Sequence, residues 1–194
     1  MKRGVLVVLA VALLVPASAN AQGGVTEIET GDDFFDPENV SAEVGTGSFH
    51  WQWGPPSTLN DHNVRQDDKL FFSGPVALTG DFTITPSAGT FDYYCELHGQ
   101  PDGLGMAGEL KIKPTATKGG KKAVITWATE QSDTGTQYDV QRKVGSKDPK
   151  IVVEKTTDLF GEFKLKSGKK YQFRVRSRRG NNTSDFSPKL KLKG

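Results

Sequence analysis

Four side chains combine soft sulfur with imidazole at spacings that suit metal binding. Cys95, the only cysteine of the chain, stands three residues before His98, and Met106 follows behind the seven-residue run Gly99 to Gly105. A thiolate, an imidazole and a thioether placed around one loop can bend toward a common point. A fourth donor must come from elsewhere, and Asp61-His62-Asn63-Val64 offers an imidazole from a distant segment. Sulfur with imidazole favours copper or zinc over hard cations such as calcium or magnesium.

The elements that must position these donors read as strands. Thr90-Phe91-Asp92-Tyr93-Tyr94 is β-branched and aromatic and follows Gly89, while Gly99, Pro101, Gly103 and Gly105 interrupt any regular element beyond it. Cys95 is therefore expected where a strand gives way to a loop. In Phe49-His50-Trp51-Gln52-Trp53 the aromatic side chains share one face and His50 and Gln52 the other, because side chains alternate with period two. The trio Phe49, Trp51 and Trp53 is expected in the core, and His50 on a solvated face. Further strands are expected at 25–29, 40–44, 70–72, 81–85 and 107–113. No stretch carries an apolar stripe at helical spacing, so residues 22–114 read as an all-β sandwich of two sheets.

In its order and flanking residues, the set His62-Asn63-Val64, then Tyr94-Cys95-x-x-His98, then Gly105-Met106-x-Gly108-x-Leu110 resembles the plastocyanin-like cupredoxins over roughly residues 25–113. The resemblance implies a Greek-key β-sandwich that holds one type 1 copper ion at one end. It implies His62, Cys95 and His98 as ligands and Met106 as a weak axial ligand, the donor set of a blue electron-transfer centre. Asn63 resembles the family's asparagine that ties the upstream ligand loop to the cysteine loop, an outer-shell role. The seven residues between His98 and Met106 exceed the short loops of the best-known members. Zinc bound by Cys95 with His50, His62 and His98 remains a competing set, since zinc accepts sulfur and imidazole tetrahedrally.

Charge divides the chain. Residues 22–114 hold four basic and fifteen acidic side chains, a net of −11, and residues 115–194 hold nineteen basic and eight acidic, a net of +11. Such asymmetry points to two modules with distinct partner surfaces. Lys113-Pro114 through Gly119-Gly120 reads as a short linker. Beyond it, short alternating runs near 123–127, 138–142, 151–153, 160–165, 171–175 and 190 read as a second sandwich. Residues 121–193 resemble a fibronectin type III domain, an immunoglobulin-like sandwich. Trp127 stands where that family has its core tryptophan, and Gly168-Lys169-Lys170-Tyr171-Gln172-Phe173-Arg174-Val175-Arg176 matches its penultimate strand, with Tyr171 as the structural tyrosine corner. Lys164, Lys166, Lys169, Lys170, Arg174, Arg176, Arg178 and Arg179 form a dense positive stretch. It reads as a solvated face, as a surface for an anionic cell-envelope polymer, or as a contact for the acidic module. No aromatic platform interleaves with these charges, which disfavours nucleic acid.

Residues 1–21 read as a secretory signal peptide, with Lys2-Arg3, an apolar run from Val5 to Val15 and the small-residue site Ala19-Asn20-Ala21. No cysteine stands at that site, and no later stretch is apolar enough to span a membrane, so a secreted or periplasmic monomer is expected. A lone cysteine in such a compartment cannot pair internally, and metal ligation would protect it. Enzymatic activity is not expected. Three histidines in total cannot build the second copper cluster of a multicopper oxidase, and no oxyanion-hole signature accompanies Cys95 for nucleophilic catalysis. Electron transfer with a basic redox partner is the leading expectation. Copper holding or delivery is one alternative, and extracellular adhesion with a structural metal is another.

Overall fold

The computed structural model describes residues 23–194, so the signal-peptide reading of 1–21 lies outside the described residues. Every regular element among them is a strand. The acidic half contains β1 (Gly24–Thr30), β2 (Phe35–Asp36), β3 (Asn39–Glu43), β4 (Gly47–Trp53), β5 (Arg65–Gln66), β6 (Gly80–Ile84), β7 (Gly89–Gln100) and β8 (Leu104–Lys113). These form two sheets, ordered β2-β1-β4-β6 and β3-β8-β7-β5, with β1 parallel to β4 and β3 parallel to β8. The basic half contains β9 (Thr115–Gly119), β10 (Lys122–Thr126), β11 (Gln137–Val144), β12 (Lys150–Thr156), β13 (Phe160–Lys164), β14 (Lys170–Arg179), β15 (Asn182–Thr183) and β16 (Leu190–Lys193). Its sheets are β13-β10-β9 and β12-β11-β14 with β15 and β16 on β14.

Alternation decides what each strand buries. Phe49, Trp51 and Trp53 point inward from β4, and Phe91, Tyr93 and Cys95 point inward from β7. The two sheets meet where Trp51 lies edge-on to Tyr93, with ring centroids 5.3 Å apart. Both rings are almost fully buried, and truncating an aromatic of this kind to alanine costs about 3–5 kcal/mol. The second core repeats the pattern with Ile125, Trp127, Val140, Phe173 and Val175. The Lys166 amide donates to the Tyr171 hydroxyl at 2.7 Å, which fixes the turn before β14.

Two expectations are corrected. Residues 70–72 do not form a strand: Lys69 takes a positive φ of 62°, the Leu70 amide donates to the Gln66 side chain at 3.0 Å, and only Phe72 makes a single bridge, to Arg65. This tight turn spends its hydrogen bonds locally. The supposed linker is largely strand, since Thr115–Gly119 pairs with β10 as a hairpin closed by Gly120 at φ 56°. His50 stands on the outer face, as alternation predicts, with its ring between Glu27 at 2.6 Å and Asp81 at 3.3 Å on the neighbouring strands β1 and β6. Those two carboxylates, Glu27 first, push its pKa up.

The two halves meet through the segment between β6 and β7. The Ala88 amide donates to the Trp127 carbonyl at 2.7 Å, and the Thr90 amide to the Asp185 carbonyl at 3.1 Å. Ser87, Thr134 and Ser177 are fully buried, and the Ser87 hydroxyl lies 2.9 Å from that of Thr134 and 2.6 Å from that of Ser177. Buried hydroxyls are retained where each finds a partner, so this junction is a specific contact rather than a loose tether.

Candidate metal centre

The β7–β8 ladder is continuous from Gly89 to Tyr94, breaks, and resumes with Gly99 opposite Gly105. Between Tyr94–Ala107 and Gly99–Gly105, the four residues Cys95 to His98 face the single residue Met106. A bulge of this kind re-aims side chains that a regular strand would send to opposite faces. It brings Cys95 and His98 to one side even though they are three apart. The chain then runs on as a hairpin, turning at Asp102 and Gly103 with φ of 67° and 78°. The long spacing from His98 to Met106 is thus absorbed by a two-stranded extension. Gly105 has φ 71°, and a Cβ on Gly99 would collide with the Met106 carbonyl, so both glycines are required by this close approach.

Three donors converge at the bulge. The His62 and His98 Nδ1 atoms are 3.2 Å apart, and Cys95 Sγ lies 3.8 Å from the first and 3.7 Å from the second. A point equidistant from the three lies about 2 Å from each, the length of a bond from such donors to a first-row divalent ion. His62 and Cys95 are fully buried, and His98 is partly exposed. The sulfur contacts are too long for strong hydrogen bonds, and three lone-pair donors turned on one another fit a cation between them. Met106 is almost fully buried and is placed opposite the cluster by the strand register. His50 lies on the outer face with Glu27 and Asp81 and does not join the group, which removes it from the competing zinc set.

The supporting bonds come from outside the motif. The His62 backbone exchanges two hydrogen bonds with Ala77, at 2.9 and 3.0 Å. The Asn63 amide group donates to the Glu96 carboxylate at 2.7 Å and to the Gly74 carbonyl at 3.0 Å, and its oxygen accepts the Glu96 amide at 2.9 Å. Asn63 therefore fastens the loop that carries His62 to the bulge that carries Cys95 and His98. Glu96 is held in turn by Arg65 at 2.9 Å. On the far side of the His62 ring, Nε2 lies 3.5 Å from Asp32 Oδ1, which also accepts the Leu59 and Asn60 amides. The Leu59 bond leads in holding the Asp32 carboxyl below its usual range. Burial depresses the His62 imidazole against the opposing pull of Asp32, which favours the neutral ring a ligand needs. Asp32 carried no sequence signal beyond a turn, thirty residues before its histidine. Glu96 had one, its place between Cys95 and His98.

No family model matches the chain. No curated protein matches it either. Among solved structures, a two-domain fibronectin type III segment of chicken tenascin is similar at 15% identity and a TM-score of 0.36, covering 73% of this chain and 88% of that one. A myokine structure is similar at 14% identity and a TM-score of 0.36, covering 43% of this chain and 93% of that one.

Proposed function

We propose that this protein is an exported one-electron carrier, a blue type 1 copper protein of the plastocyanin-like cupredoxin kind with a fibronectin type III-like unit appended. The observation that supports it is the convergence of Cys95 Sγ with the His62 and His98 Nδ1 atoms on one point. When bound, copper supplies one-electron exchange, and sulfur with two imidazoles and a weak axial thioether is the donor set suited to it. Cys95 is anchored on β7 within the core, His62 is pinned through its backbone to Ala77, and Asn63 couples their two segments. Ligands held in this way need little rearrangement when the charge at the site changes. Met106, buried and opposite the cluster in the strand register, would supply the thioether.

His98 is the one donor of the three that solvent reaches, and Leu97 and Leu104 beside it are 57% and 62% exposed. This partly apolar rim offers a redox partner close access to the ring. The acidic charge of the same half steers a basic partner toward it.

Copper(II) added to the purified mature protein is expected to produce an intense blue visible absorption that saturates at one equivalent. A colourless sample at one equivalent would overturn the proposal. Copper holding is the second reading, favoured by the exposure of His98, which leaves one ligand open to exchange. Repeated oxidation and reduction in the presence of a competing chelator separates the two: a carrier keeps its metal, and a delivery protein surrenders it.

A further inference from the structure

The positive stretch of the basic half is two different structures. Its arginines are occupied: Arg176 and Arg178 pair with the buried Asp139 at 2.8 and 3.0 Å, and Arg174 donates to the Ser187 and Phe186 carbonyls. Three of its four lysines line a cavity instead. Lys164, Lys166 and Lys169 join Arg142, Lys147 and Lys150 around a cavity of about 720 Å³ between the β11–β12 hairpin and the β13–β14 connection. Among the described residues none of these six forms an ion pair, and Asp148 is the one acid in the lining. Arg142 and Lys150 are direct partners in the hairpin register. Like charges placed opposite each other are destabilising, a cost that the fold alone does not explain and that an anion would relieve.

We propose that this cavity binds an acidic oligosaccharide segment of an extracellular polymer. The volume lies within the range of ordinary ligand sites. Five of the six cations are lysines, flexible point charges suited to acidic groups dispersed along a chain rather than to one bidentate anion. The lining is not wholly ionic. Val144 and Val152 supply apolar surface for the C–H face of a sugar ring, and Ser146 and Asp148 can bond its hydroxyls. Nucleic acid fits less well, because the one aromatic in the lining, Tyr171, is buried and its hydroxyl is engaged by the Lys166 amide, so no ring is available for base stacking. The site lies wholly in the basic half and does not depend on the metal centre.

The test is calorimetric titration of the full mature chain with a short dextran sulfate oligosaccharide, with neutral dextran, tripolyphosphate and single-stranded DNA as comparison probes. Dextran sulfate is expected to bind, with log affinity falling linearly with log salt. Replacing Lys147, Lys150 and Lys164 together by Gln is expected to weaken it at least tenfold and to reduce the salt slope by about two to three. Replacing Lys121, Lys189 and Lys191, equally basic but outside the cavity, should change affinity less than twofold. All three lysines of the first variant are exposed, so its thermal unfolding should match that of the parent. Equal losses in both variants, or tighter binding of tripolyphosphate or DNA, would overturn the proposal. So would a salt-sensitive dimer that the cavity variant abolishes while dextran sulfate fails to bind, since the cavity would then serve the acidic half of a second copy.

Discussion

Both halves bury polar side chains, and they treat them in opposite ways. Asp139 in the basic half is fully buried, and its carboxylate takes the Lys155 amide at 2.8 Å and the Nε atoms of Arg176 and Arg178. Every one of those bonds is short and directed, and together they outweigh burial and hold its pKa down. In the acidic half, His62 and Cys95 are equally buried, but their donor atoms face each other and His98 across 3.2 to 3.8 Å. A closed network is what a fold needs for its own stability. A cluster of electron-pair donors gathered around one point suits a cation, so the difference marks the first as structure and the second as the candidate site.

That contrast can be broken outright at Cys95. Cys95→Ser is expected to abolish the blue absorption and to leave folding largely intact, read by visible spectroscopy and circular dichroism on the same sample. Asp139→Ala should do the reverse, lowering unfolding stability by about 3 kcal/mol by leaving two arginines without their carboxylate, with the visible spectrum unchanged. Denaturant titration measures the first quantity, and an altered metal affinity in this variant would erase the distinction between the halves. Asn63→Ala sharpens it from the other side, with copper affinity expected to fall about 10- to 100-fold because the ligand loops lose their tie. Competition against a chelator of known affinity would measure that loss.

A smaller effect concerns the boundary between the two halves. Burial, with Glu109, Asp67 and Asp185 adding repulsion, raises the Asp92 carboxyl from 3.8 to about 6. Asp185 belongs to the basic half, and its carbonyl accepts the Thr90 amide two residues from Asp92. A raised folded-state pKa contributes stability that is complete below 3.8 and is lost as pH rises through about 6. Asp92→Asn should therefore stabilise the protein at pH 7.5 by about 1 kcal/mol, allowing for solvent screening, and change little at pH 4. Melting curves across that range decide it. The smallest effect is kinetic: raising ionic strength from about 0.01 to 0.1 M should slow electron exchange with a basic partner as the Debye length shrinks from about 30 to 10 Å. Stopped-flow rates that ignore salt would remove the steering role of the acidic half.

The strand pattern was legible where side chains alternate over several residues, as at Phe49-His50-Trp51-Gln52-Trp53 and at Phe91 to Cys95. It failed at Leu70-Phe71-Phe72, where a turn at Lys69 curls the chain so that Leu70 and Phe71 are buried, Phe72 is exposed and only one isolated bridge forms, and at Thr115–Gly119, where polar and glycine residues pair as an edge. The basic stretch showed the same limit. Its eight cations look alike in sequence, and only the placement of Asp139 and of the Ser187, Phe186 and Asp133 carbonyls separates the bonded arginines from the three lysines around the cavity.

Donor chemistry belongs to residue types, so the chain by itself determined that Cys95, His98, His62 and Met106 could serve one soft metal ion, while the tie between loops at Asn63 was implied only by resemblance. Strand alternation, a property of neighbouring residues, determined which aromatics face the core. Convergence belongs to pairings between residues far apart. The bulge that sets Cys95 to His98 against Met106 and the support of His62 by Asp32 were decided only by tertiary structure. The physical reason is that burial and strand register, which no local pattern specifies, determine which side chains share a space and which polar groups find partners.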